Sequence, residues 1–130
     1  MKSLILILAL VATSCAAKQP LPPGGDVIFK AKQAAIAIGT LQHSAIELNK
    51  IQKCSQATPP VCAPLLSDHN TGIVVDISTD VLKTMRNIPA GWRATADAGI
   101  MQVETRLDAA GKGQFNLYLE AARLVIRGIQ

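Results

Sequence analysis

The chain has 130 residues, one domain's worth, with 49% apolar residues, only 3% aromatic ones and a net charge of +4. So few aromatics, with alanine making up much of the apolar share, argue against a large β-sandwich. The basic residues are dispersed, the densest set being Lys30, Lys32, Lys50 and Lys53. That is not the clustered stripe of a nucleic-acid-binding protein, so no nucleic-acid partner is expected. Solvated helix faces account for the charge, as does weak attraction to an anionic membrane surface.

Residues 1–14 read as an export signal. Met1-Lys2-Ser3 precedes an unbroken apolar run from Leu4 to Ala12. That run matches the core of a signal peptide and is too short to span a bilayer, which takes roughly 20 apolar residues. Small residues then lead to a cysteine: Val11-Ala12-Thr13-Ser14-Cys15. This segment resembles the lipobox of bacterial lipoproteins, whose cysteine is diacylated and becomes the new N-terminus. The resemblance covers the first 15 residues only. It implies lipidation at Cys15, and hence a membrane partner through an N-terminal lipid. It departs from the commonest lipobox at Ala12, where Leu is usual. Cleavage after Ala16, giving a secreted protein, and a retained membrane anchor therefore stay open. Ala16 stands where lipoproteins kept in the inner membrane often carry Asp, which implies an outer-membrane destination in a Gram-negative host. Residues 15–25, with three prolines and two glycines, read as an extended tether. At about 3 Å per residue its reach is roughly 25–30 Å.

Residues 26–130 read as an all-α domain, an antiparallel three- or four-helix bundle. Asp26 is a good N-cap for a long helix reaching about Ser55. Val27, Ala31, Ala34, Ile38, Leu41, Ala45 and Leu48 recur at steps of four and three, an unbroken seam at heptad spacing. Its alanines suit close helix approach. Ala34, Ile38, Leu41, Ala45 and Leu48 are the candidate partner-binding seam, for another protein or for a second copy of the chain.

A connection over residues 56–72 follows, rich in Pro, Ser, Asp, Asn and Gly, with its 62–66 portion docking on the helices. Cys54 and Cys62 flank Pro59-Pro60, which breaks any helix and lets the chain turn back. Three cysteines in an exported chain leave one over, and lipidation of Cys15 would remove it. A Cys54–Cys62 disulfide is expected in an oxidising compartment. The spacing is not that of a redox or metal pair. A second helix is expected from about Gly72 to Asn87, with Val74, Ile77, Val81, Met85 and Ile88 on one face. Its β-branched start at residues 73–78 could instead form a strand, but no partner strand is evident. A third helix should cover roughly Ala90 to Ala110, with Trp92, Ala96, Ile100, Val103, Leu107 and Ala110 inward. Gly111-Lys112-Gly113 should end or kink it. A fourth should run from about Gln114 to Arg127, with Phe115, Tyr118, Leu119, Ala122 and Ile126 inward.

No catalytic constellation is evident, and no cofactor or metal is expected. His43 falls off the apolar seam, and His69 lies in the polar stretch 67–71. Asp76 with Asp80, and Glu104 with Asp108, are carboxylates one helical turn apart, each pair on a solvated face. Gly111-Lys112-Gly113 lacks the context of a phosphate loop. Trp92 reads as a packing anchor, with a surface partner contact as the alternative. The expected function is that of a lipid-anchored protein of the bacterial cell envelope, structural or protein-binding and non-catalytic. It would face the periplasm or the cell surface. An envelope enzyme or small-ligand carrier with a pocket inside the bundle, and a phage- or mobile-element-encoded host-surface protein, are the alternatives.

Overall fold

The computed structural model describes residues 25–130. The export signal, Cys15 and all but the last residue of the tether lie outside those residues. Helix α1 spans Gly25–Lys50 and opens with Asp26, whose carboxylate pairs with Lys30 Nζ one turn on at 3.1 Å. Ala31, Ala34, Ala37, Ile38, Leu41, Ala45 and Leu48 are buried along its inner face. The heptad seam is therefore the core face of α1.

The expected helix to Ser55 stops instead at Lys50. The Leu48 carbonyl accepts from Ile51 N (3.3 Å) and from Leu66 N (3.5 Å), which turns the chain out of the helix. Asn49 Nδ2 donates to the Leu66 carbonyl (3.0 Å) and to Asp68 Oδ1 (2.7 Å), fixing the returning chain. Between those points runs a small hairpin. Strand β1, Gln52–Cys54, pairs antiparallel with β2, Cys62–Pro64, with Cys54 opposite Cys62. The two cysteines form a disulfide, and the Thr58–Pro59 peptide is cis. Residues 51–63 are all exposed, so the hairpin stands off the core. Of the expected docking segment, Leu66 is fully buried, whereas Cys62 and Ala63 are exposed.

Helix α2, Asp68–Asn87, begins four residues earlier than Gly72. Ser67 is its N-cap, Oγ accepting from Asn70 N at 3.1 Å. Residues 73–78 are helical throughout, and Val74, Ile77, Ser78, Val81 and Met85 are buried. Amphipathic packing outweighs the β-branched composition there. Ile88, expected inward, is 61% exposed, because it has left the helix as its C-cap. A 3₁₀ turn over Pro89–Gly91 leads into α3, Trp92–Arg106.

The break between α3 and the last helix is not at the glycines. Leu107 is extended and buried, Asp108 caps the next helix, and α4 spans Ala109–Gly128. Asp108 Oδ1 accepts from Gly111 N at 2.8 Å, so Gly111 and Gly113 lie inside α4 rather than ending α3. Ala110 and Tyr118, both expected inward, are exposed; Phe115, Leu119, Ala122 and Ile126 are buried as expected.

The helices surround one core that runs from Ala31 to Ile129. Burying each large aliphatic or aromatic side chain there contributes about 1.5–3 kcal/mol. The beginning of α1 (Ile28, Ala31) lies beside the end of α2 (Leu82, Met85), and its next turns (Gln33, Ile36) beside the end of α4 (Leu124, Val125). At the start of α3, Trp92 is buried. The Arg93 guanidinium sits 4.6 Å from the Trp92 ring centroid and donates to the carbonyls of Ile126 (3.3 Å) and Ile129. Where α2 and α3 cross, Gly99 is buried, and a methyl group added there would overlap Val81. No helix among the described residues is long and apolar enough to cross a membrane.

Candidate functional site

Cys15 lies outside the described residues. Cys54 and Cys62 are joined at the hairpin. The five seam residues are placed where they cannot meet a partner: Ala34 and Ala45 are wholly inaccessible, and Ile38, Leu41 and Leu48 are buried. Their stripe packs against the other helices of the same chain. Trp92 is the expected packing anchor.

The residues considered for chemistry are not brought together. His43 is exposed on α1, and His69 is exposed in the first turn of α2. Asp76 and Asp80 are exposed. Glu104 reaches Arg123 on α4, while Asp108 caps that helix, so the two carboxylates are not neighbours on one helix face. Among the described residues no three His, Cys, Asp or Glu side chains cluster as a metal-binding set.

Three features were not legible as sites. The first is a buried polar junction. Asn70 is only 2% exposed, yet its amide is fully engaged: Nδ2 donates to Asp108 Oδ1 (3.0 Å) and Oδ1 accepts from Asp108 N (3.2 Å). This ties the start of α2 to the start of α4. The Gly111 amide, first, and the Asn70 side chain, second, hold the Asp108 carboxyl below its ordinary value of 3.8. A Cβ at Gly111 would lie 2.5 Å from the Asn70 amide, so glycine is what admits that side chain. The arrangement locks the two helices together.

The second is a groove of about 420 Å³ between the beginning of α1 and the end of α2. Ile28, Ala31, Ala35, Leu82, Met85 and Pro89 give it apolar walls, with Lys32 and Arg86 at its sides. The third is the outer face of α4 with the adjoining edge of α1. Ile36, Tyr118 and Val125 line one shallow groove there, and Ile36, Leu124 and Val125 line its continuation. The Tyr118 ring stacks on buried Phe115, centroids 5.3 Å apart. Tyr118, expected inward, stands instead beside a second apolar line on α4.

Comparison with protein-family models, with curated proteins and with solved structures finds no match to this chain.

Proposed function

We propose that this chain is an exported, lipid-anchored protein of the bacterial envelope, displaying an antiparallel four-helix bundle that acts by binding rather than by catalysis. The observation that carries the reading is the Cys54–Cys62 disulfide, which leaves Cys15 as the odd cysteine of three. A disulfide suits an oxidising compartment, and the remaining cysteine is the one that ends the lipobox-like segment.

The charge distribution supports a membrane-proximal orientation. The end of the domain at which Gly25 enters gathers Lys32, Lys83, Arg86, Arg93 and Arg127. The acids there are Asp26, Asp80 and Asp97, and Asp26 is held by Lys30. A basic surface beside a lipid anchor adds electrostatic attraction to anionic headgroups.

Detergent partitioning of the wild-type protein and of Cys15→Ser, with the mass of the mature N-terminus, tests the proposal. Wild type should enter the detergent phase and carry acyl mass on Cys15, and Cys15→Ser should stay aqueous. A mature N-terminus at Ala17 without acyl mass would make it an ordinary secreted protein.

A further inference from the structure

Helix α4 has two apolar faces. Phe115, Leu119, Ala122 and Ile126 fill the core. On the opposite side Gly113, Leu117, Ala121, Leu124 and Gly128 are all exposed, at the 3.6-residue period of a single helical line. That line carries no charge over four turns. Beside it stand Tyr118 and Val125 of α4, with Ile36 of α1 across the shallow groove and Phe29 two turns before Ile36.

Six large apolar side chains on and beside this line stand open to solvent. Leu117 is 80% exposed, Ile36 70%, Leu124 66%, Phe29 53%, Val125 52% and Tyr118 39%. Contiguous exposure of large apolar side chains of this kind marks an interaction site.

The order of residues along the stripe identifies the occupant. Gly113, Leu117, Ala121, Leu124, Gly128 reads the same in residue type from either end. A two-fold axis demands a surface that matches itself. Two such helices laid antiparallel put Leu117 opposite Leu124, Gly113 opposite Gly128, and Ala121 opposite Glu120, next to its own copy. The small residues at the centre and ends let the backbones approach while the leucines form the two packed layers. Glu120 borders the stripe near the axis and pairs at 2.6 Å with Arg123, a cation it shares with Glu104. A bilayer-facing helix would instead border its apolar line with cations; here the charge bordering the centre of the line is the acid Glu120.

We propose that the outer face of α4 is a self-association surface on which a second copy of this chain docks, antiparallel, about an axis near Ala121. The proposal deepens the binding reading above and rests on it for the mode of action, but not on the fate of Cys15.

The test uses the chain from Ala16 onward, which keeps every core residue and the disulfide but carries no lipid. Sedimentation equilibrium at about 100 µM, where mass action favours association, should give the dimer mass. Leu117→Lys should weaken association by about 30-fold or more, as removal of a central interface anchor does. Its helical circular dichroism should be unchanged, because the side chain is exposed. Adding Leu124→Glu to that variant should restore the dimer, since each lysine then faces a glutamate of the other copy. A monomeric wild type overturns the proposal, as does a dimer indifferent to Leu117→Lys. Failure of the double variant to recover overturns the antiparallel register. A monomer that binds phosphatidylglycerol vesicles through Leu117 would assign the face to membrane instead. None of these outcomes bears on detergent partitioning through Cys15, so the two readings fail separately.

Discussion

Helices α1 and α4 each carry a line of leucine and small residues, and the two lines meet opposite fates. On α1, Ala34, Ile38, Leu41, Ala45 and Leu48 lie in the core. On α4, Gly113, Leu117, Ala121, Leu124 and Gly128 face solvent. The difference lies in what the rest of each helix offers. The far side of α1 interleaves Phe29 and Ile36 with Lys32, Gln33, Glu47 and Lys50, so the unbroken apolar seam is the line that turns inward. Helix α4 has a bulkier line available in Phe115, Leu119, Ala122 and Ile126, which wins the core and leaves the lighter one outside. Burial is decided by competition between the faces of one helix, and a line's own regularity does not settle it.

The contrast is broken most directly by deleting equivalent leucines. Leu41→Ala should cost about 2–5 kcal/mol, because it empties a packed core position. Leu124→Ala should stay within about 0.5 kcal/mol, as an exposed substitution does. Urea unfolding at low protein concentration, where association is absent, reads both. Equal effects would mean that the core has been drawn on the wrong side of α4.

Two glycines within α4 sharpen the same contrast on a single helix. Gly111→Ala drives a methyl group into the buried Asn70 amide and should cost about 1–3 kcal/mol. Gly113→Ala meets no atom within 4 Å and should stabilise by about 0.5–1 kcal/mol, since alanine is the better helix former. Opposite signs two residues apart, measured as shifts in melting temperature, would place the boundary between the inner and outer faces.

The smallest effect concerns how α4 is started. The folded Asp108 carboxyl is held below its ordinary value by the Gly111 amide and then by Asn70. A lowered folded value means that its contribution is present above the ordinary carboxylate range and is lost as pH falls through the lowered value. The melting temperature should therefore drop on acidification below about pH 4. Asp108→Asn, which keeps an acceptor oxygen at the cap, should remove part of that drop. An identical acid profile in both proteins would show that the cap carries no pH dependence.

Much of the helical domain was legible because its signals are local. The inward run Val74, Ile77, Val81 and Met85 and the anchor Trp92 follow from the period of the apolar residues. The end of α1 was not, because Lys50 is followed by residues that continue an acceptable helical pattern. What stops the helix is a nonlocal bond set, Leu48 and Asn49 to Leu66 and Asp68. The α3–α4 break was misplaced for a related reason. Gly111 reads as punctuation in one dimension, whereas in the fold its missing side chain is the space occupied by Asn70, 41 residues earlier. The candidate surface was hidden by the same logic: α4 has two apolar lines, and only packing reveals which is surplus.

The guanidinium of Arg93 on the carbonyls of Ile126 and Ile129 has an electrical consequence. The aligned peptides of a helix leave a partial negative charge at its carboxyl end. Each of the four helices carries one base in its last turn to meet it: Lys50, Arg86, Arg106 and Arg127. Only α4 receives a second, and that one is delivered by a different helix. The dipole of the last helix is thereby closed by a charge fixed at the start of α3, so the field at the chain's end depends on tertiary structure. A helix that presents one face outward needs such a fastening, because its grip on the core comes from the other face alone.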